Sequence, residues 1–295
     1  MGAALVTGAA GFTGRYVVRA LQSKGFRVVG AGLGTGPASN WISCDLTDTS
    51  AVNDAIAQVM PKVVVHLAGM AFVGDGHPED FYRVNVFGTL NLLEALFRCE
   101  RKPDRVLIAS SANVYGNATG QELTEETCPA PVNHYAASKL AMEHLAKTWF
   151  DRLPIVITRP FNYTGPGQDE RFVVPKIVGH YRRRAARIQL GDISVERDFS
   201  DVQDVVEAYM RLIESDVRSQ IVNICTGRTV SVAGILASMK EIAGYEIHVQ
   251  QDQELMRSSE ISRLVGSNRK LLQLTGFVPC TFIQKTLKRM YAEQG

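Results

Sequence analysis

The stretch VTGAAGFTGRYV, residues 6–17, constrains the fold more than any other. It sets Gly8, Gly11 and Gly14 between an apolar run, AALV, and an amphipathic segment. In that segment Val17, Val18 and Leu21 share one helical face, and Gly25 ends it. Glycines so placed let the backbone turn tightly and approach a pyrophosphate, whose charge then rests on the helix N-terminus. A ligand-free strand-to-helix turn would carry the same residues. Position decides for cofactor binding, because the first βα junction of a doubly wound sheet is where that fold takes dinucleotides.

The rest of the first half repeats the strand–helix alternation. RVVGAG and WISCDL read as strands and TSAVNDAIAQVM as a helix begun by a Thr or Ser cap. KVVVHLAG, RVLIASS and PIVITRP are further strands, and PEDFYRVNVFGTLNLLEALFRC is one long helix. Near-continuous Val, Ile and Leu in the strands means a parallel sheet covered on both faces. Beyond Pro160 the pattern changes: FNYTGPGQDERFVVP is rich in turn residues, and the helix SDVQDVVEAYMRLIES and strand QIVNICTG then resume the alternation. The expected fold is α/β, a doubly wound parallel sheet of the Rossmann type with a smaller C-terminal α/β substrate lobe. Residues 1–161, completed by 200–226, would form the first unit; 162–199 and 227–295 would form the second.

Composition excludes several classes. With 295 residues, 45% hydrophobic and 21% charged, the net charge is only +2, which argues against a nucleic-acid binder. No apolar run reaches the length of a membrane span, and no basic leader precedes the first strand. Five scattered cysteines without a C-x-x-C are expected to be reduced core thiols of a cytoplasmic protein, and the six histidines show no metal-ligand spacing. The cluster Arg182, Arg183, Arg184 and Arg187 reads as a solvated helix face.

NHYAASKLAMEH holds Tyr135 and Lys139 four residues apart, on one helix face; no other tyrosine of the nine has a lysine at that offset. A free phenol titrates near pH ~10, too high to exchange protons at neutrality. A neighbouring ammonium and an oxidised nicotinamide would lower that value. Tyr135 could then act as acid or base while hydride moves. Val28 to Gly36, where a carboxylate for the NAD 2′-hydroxyl is expected, has none, and Asp45 is the first acidic residue of the chain. NADP(H) is therefore favoured over NAD(H), although no arginine stands in that slot either.

The G-x-x-G-x-x-G spacing, with CDLTD, HLAG, SSANVYG and the Tyr135/Lys139 pair, resembles the extended short-chain dehydrogenase/reductases over nearly the whole chain. The resemblance implies that Gly8, Gly11, Phe12 and Gly14 wrap the cofactor. Asp45 would hold the adenine amino group with Leu46 beside it, and Leu67 and Ala68 would lie against the adenosine ribose. Ser111 would orient the substrate oxygen, Tyr135 would exchange its proton, and Lys139 would also bind the nicotinamide ribose. Pairing of the two helices around FYRVNVFGTLNLLEALF and YAASKLAMEHLAKTWF into a four-helix bundle would make a homodimer.

Dehydratases of this superfamily place two carboxylates directly after the serine, and here those positions are Ala112 and Asn113. The C-terminal segments RPFNYTGPGQDERFVVPKIV, LGDISVERDFSDVQDVVEAY and MRSSEISRLVGSNRKLLQLTGFVP resemble GDP-4-keto-6-deoxy-mannose reductases. That likeness implies a GDP-linked substrate. Asn162, Arg197 and Arg257 would sit at its diphosphate, Glu260 at the nucleotide ribose, and Phe172, Val173 and Lys176 near the base. The alternatives are a nucleotide-sugar 4-epimerase with tightly held NAD and a non-catalytic NAD(P) sensor, which would have no use for a proton donor.

Overall fold

A computed structural model describes residues 2–36, 40–70, 77–118, 122–253 and 261–293. The chain opens with β1 (Ala3–Thr7), α1 (Phe12–Ser23), β2 (Arg27–Gly32), β3 (Trp41–Ser43), α2 (Thr49–Val59) and β4 (Val63–His66). α3 (Pro78–Tyr82), α4 (Gly88–Arg98), β5 (Arg105–Ala109), α5 (His134–Lys147) and β6 (Ile155–Pro160) follow. Then come β7 (Asn162–Thr164), α6 (Val173–Arg182), β8 (Arg187–Leu190), β9 (Glu196–Arg197), β10 (Phe199–Asp201), α7 (Val202–Glu214) and β11 (Gln220–Ile224). The chain closes with β12 (Val230–Ser231), α8 (Val232–Ala243), β13 (His248–Gln251), β14 (Arg263–Leu264), α9 (Arg269–Thr275) and α10 (Ile283–Ala292).

Seven strands form one parallel sheet in the order β11-β6-β5-β4-β1-β2-β3. Alternation along each strand sorts its side chains onto two faces. Ala3, Leu5, Val64, Ile108 and Ile157 pack against α2, α4 and α5. Ala4, Val6, Val65, Leu107 and Val156 pack against α1, α7 and α9. Both faces are covered, as a sheet of continuous apolar strands requires. The strand order reverses between β1 and β4, so a crevice opens at their carboxyl ends.

A second core joins α6, α8 and α10 through Val174, Ile177, Tyr181, Ile235, Met239 and Leu287. Around it β8 pairs β13 in parallel, and β9 pairs β12 and β14. α10 is tied to the start of α7 by Asp201, the N-cap of α7, which accepts from Thr286 Oγ1 (2.5 Å) and Arg289 Nη2 (2.8 Å).

Four local expectations are corrected. Asp48, rather than a Thr or Ser, caps α2, accepting from the Ser50 and Ala51 amides, because its carboxylate reaches both exposed donors. The long helix is interrupted by a π-turn, Arg83–Phe87, between α3 and α4. The arginine cluster straddles the end of α6, with Arg184 at φ +51°, and continues into β8; Arg183 forks onto Glu170 at 2.8 Å. Cys128 and Cys280 are exposed rather than core thiols, because they lie in loops between elements.

Asp201→Ala should lower stability by about 2–3 kcal/mol, the loss of charge-assisted bonds to a buried carboxylate. Denaturant unfolding of both proteins checks this. An unchanged midpoint would mean that α10 is held by its apolar face alone.

Candidate active site

The glycine turn is built by exclusion. Gly8 sits at φ +69°, and a side-chain carbon there would lie 2.8 Å from the Ala68 amide nitrogen. At Gly14 one would lie 2.6 Å from the Ala9 α-carbon. The turn therefore lies backbone against backbone on the segment after β4. The N-terminus of α1 has no side-chain cap and no acid in its first turn, so its amides and partial positive charge face the crevice. This donor set suits an anion such as a dinucleotide pyrophosphate.

His66, at the end of β4, sets the spacing between these two backbone segments. Its Nδ1 is 2.7 Å from Thr7 Oγ1 and its Nε2 is 2.9 Å from Thr89 Oγ1. Thr89 spends its single hydroxyl hydrogen on the Asn85 carbonyl (2.7 Å), so it can only accept from the ring. His66 therefore carries its proton on Nε2, and Thr7 donates to Nδ1 while accepting from the Ala68 amide (3.2 Å). Every hydrogen in this buried chain is assigned. Burial, reinforced by the charge of Lys139, pushes His66 down to about 3, so the ring is neutral.

Tyr135, the residue expected to exchange the proton, lies on α5, whose N-cap Asn133 accepts from the Ala136 amide at 2.9 Å. Tyr135 is buried, packs edge-on against Phe81 and lines the same cleft as Ser111. Ser111 caps the short 3₁₀ turn Ala112–Tyr115 and accepts from the Asn113 amide at 3.2 Å. Lys139 is also buried and donates to the Ala109 carbonyl at 2.9 Å. Burial pushes the Tyr135 phenol up to about 12, with Ser111 acting in the opposite direction. The expected lowering by Lys139 is not seen, because its ammonium is directed at the Ala109 carbonyl. The phenol is a proton donor at neutral pH.

One cleft of about 780 Å³ unites these parts. Gly8, Gly11, Phe12, Gly14, Leu67, Ser111, Tyr135, Asn162 and Phe172 line it, together with Asn113. Lys139 and Ala68 lie just behind its wall. Asp45 stands exposed after β3, where bonds from the Thr47 amide and hydroxyl, both 2.8 Å, hold its carboxyl below the usual range. Leu46 is buried next to it and its carbonyl accepts from Asn91. Val173 packs into the second core, Lys176 reaches the Gln189 carbonyl (2.8 Å) and Arg197 the Glu196 carbonyl (2.9 Å); none of the three lines the cleft. Arg257 and Glu260 lie outside the described residues.

Three residues absent from the sequence reading also shape the site. Asn85, in the π-turn, accepts from the Met70 amide (2.9 Å) and donates to Ser138 Oγ (2.9 Å), tying the segment after β4 to α5. A polar residue inside VNVFGT was its only sequence sign. Tyr163 stacks on Phe12 (centroids 6.1 Å apart, 14° between planes) and its hydroxyl is 2.8 Å from Thr13 Oγ1. That pair joins the glycine turn to the start of the second lobe. A second hollow of about 700 Å³, at the opposite end of the sheet, is lined by cations and acids in equal mixture. It has neither a glycine turn nor a proton donor. Among the described residues no group of His, Cys, Asp or Glu could hold a metal ion, and no helix is long and apolar enough to cross a membrane.

Residues 5–290 match the family model described as GDP-mannose 4,6 dehydratase. Among curated relatives, GDP-6-deoxy-D-talose 4-dehydrogenase of Aggregatibacter actinomycetemcomitans is 34% identical over 97% of this chain and 96% of its own. GDP-6-deoxy-D-mannose reductase of Pseudomonas aeruginosa is 35% identical over 84% and 85%. Among solved structures, a Burkholderia cenocepacia J2315 protein with a provisional epimerase name superposes with a TM-score of 0.93 (46% identity, 98% and 97% covered). RMD from Pseudomonas aeruginosa, complexed with NADPH, superposes with a TM-score of 0.88 (32% identity, 99% and 98% covered).

The neutral His66 has a consequence for stability. Below its free value of 6.5 the unfolded chain binds a proton that the native ring refuses down to about 3, so stability present above pH 6.5 is lost as pH falls. Between about pH 6.5 and pH 5 this single group should remove about 2 kcal/mol. Urea unfolding at both pH values should show that increment in the wild type and its absence in His66→Gln. Equal losses in the two proteins would contradict the assignment.

Proposed function

The chain belongs to the GDP-mannose 4,6-dehydratase family, and from that membership we propose that it reduces a GDP-linked 4-keto-6-deoxyhexose with hydride drawn from NADPH. At the coarser level it is an NAD(P)-dependent nucleotide-sugar oxidoreductase of the GDP-6-deoxyhexose type. The observation that carries the finer reading is Tyr135, which keeps its proton and opens with Ser111 into the same cleft as the glycine turn. A ketone reductase must begin from that protonation state. Ala112 and Asn113 follow Ser111, and neither can take a proton from carbon, so the dehydration that gives the family its name is disfavoured.

In this reading the bound NADPH supplies the hydride to C-4. The Ser111 hydroxyl holds the ketone oxygen, and Tyr135 gives that oxygen its proton as negative charge develops there. Gly8, Gly11, Phe12 and Gly14 take the pyrophosphate; Asp45 and Leu46 take the adenine, and Leu67 and Ala68 its ribose. Lys139, a turn behind Tyr135, serves the nicotinamide ribose. Asn162 and Phe172, which line the cleft, would receive the substrate with Val173, Lys176 and Arg197 further out. Arg257 and Glu260 are assigned to its nucleotide by resemblance alone. The absence of a carboxylate between Val28 and Gly36 favours the 2′-phosphate of NADPH, and the P. aeruginosa structure carries NADPH.

The two curated relatives act on C-4 epimers, so the product is GDP-D-rhamnose or its 6-deoxytalose counterpart, according to which ketone face meets the hydride. A 4-epimerase with retained NAD is the second reading, favoured by the name of the B. cenocepacia structure. We also propose a homodimer through α4 and α5, where Phe97 is 38% exposed and Phe87, at the end of the π-turn leading into α4, is 58% exposed; light scattering at a monomer mass would refute it.

Incubation with GDP-4-keto-6-deoxy-mannose and either NADPH or NADH should oxidise cofactor stoichiometrically, faster with NADPH. Tyr135→Phe should reduce turnover by about 10²–10⁴-fold while cofactor affinity changes little. Near-normal turnover in that variant would sink the mechanism. NAD released on denaturation, with no oxidation of either cofactor, would establish the epimerase.

A further inference from the structure

We propose that Glu143 is a positioning residue that keeps Lys139 in its charged form, held in that role by Arg159. The proposal rests on the reductase reading only in so far as Lys139 binds the cofactor.

α5 places Tyr135, Lys139 and Glu143 at successive turns, all three buried. Lys139 is 7% exposed. The groups facing it can be followed element by element. His66 at the end of β4 is neutral. Gly69 lies so close that a side-chain carbon there would be 3.2 Å from the ammonium and 2.8 Å from the Asn85 side-chain oxygen. β5 offers the Ala109 carbonyl, and the Ser110 hydroxyl that follows it is spent on Glu143. Tyr135 on its own helix carries its proton. Among the described residues, Glu143 is the one carboxylate whose charge acts on Lys139.

Glu143 is 0% exposed, and its oxygens are fully engaged. Oε1 accepts from Ser110 Oγ (2.6 Å) and Arg159 Nε (2.9 Å), and Oε2 accepts from Arg159 Nη2 (2.6 Å). Arg159 uses Nη1 on the Tyr115 hydroxyl (3.0 Å), which donates to Asn223 (2.7 Å). Its guanidinium lies over the Tyr115 ring, 4.8 Å from the centroid.

A pair this dry gives little net stability, since apolar residues of the same shape can replace such pairs without loss. Its placement explains it better. Burial draws Lys139 down to about 8, and Glu143 opposes that fall. The arginine fork fixes the carboxylate's position. The same carboxylate grips Ser110, the neighbour of Ser111. Both arms of the site therefore rest on one side chain.

The test needs no sugar substrate, so a failed reductase assay would leave it intact. NADPH affinity is followed by nicotinamide fluorescence from about pH 6 to pH 9 in the wild type, Glu143→Gln, Glu143→Asp and Lys139→Met. The double variant Glu143→Gln/Arg159→Met leaves no buried arginine unpaired and serves if the single change does not fold. Affinity should fall as Lys139 loses its proton, and that fall should begin about one pH unit lower without the carboxylate, a roughly fivefold weakening near pH 8. Glu143→Asp should restore the wild-type profile, and Lys139→Met should flatten it. A fall at the same pH in the wild type and in a folded variant lacking Glu143 would overturn the proposal. So would a fall that persists in Lys139→Met.

Discussion

There is no room for a methyl group at Gly14, and the site depends on that exclusion. Because the turn after β1 folds back on itself and lies on the Ala68 backbone, the first turn of α1 points its free amides across the crevice between β1 and β4. A side chain at Gly8 or Gly14 would lift α1 from the sheet and turn those donors away. The parallel sheet puts its carboxyl ends at the same edge, so the Ser111 turn and the start of β7 reach the same cleft. One steric constraint thus places the anion site, the proton donor and the second lobe side by side.

Around that cleft the protonation states of His66, Tyr135 and Lys139 follow from burial and a few fixed partners. His66 is neutral because it is buried, lies in the field of Lys139, and has a fixed hydroxyl partner at each ring nitrogen. Tyr135 is neutral because burial raises its phenol, against the smaller opposing influence of Ser111. Lys139 faces a carbonyl in front and a carboxylate one turn behind. In a low-dielectric site such fixed dipoles need no reorganisation when charge moves. The Thr13–Tyr163 pair adds a direct link between the glycine turn and the chain entering the second lobe.

What could be read from sequence was what depends on near neighbours. Strand and helix periodicity, the glycine turn, and Tyr135 with Lys139 are all patterns within one element, and they appear where the spacing put them. The partners that set protonation are distant in sequence: Thr7 and His66 are 59 residues apart, and Thr13 and Tyr163 are 150 apart. No local pattern announces such pairs. Asn85 shows the same limit, since only packing against α5 turns a polar residue inside an apolar helix into a π-turn tie. The direction of the Lys139 ammonium, toward Ala109 rather than the phenol, is a three-dimensional choice that i, i+4 spacing cannot fix. Val173, Lys176 and Arg197, expected at the substrate from the resemblance, instead meet the second core and two strand carbonyls.

The account stands on direct hydride delivery to C-4 with Tyr135 supplying the proton. It is tested most directly by following deuterium from NADPH labelled at the nicotinamide C-4 into the product hexose. The account predicts one deuterium at C-4 of the sugar for each cofactor oxidised, and the configuration there identifies the product. Sugar product formed without deuterium at C-4, or interconverted with no cofactor consumed, would contradict it.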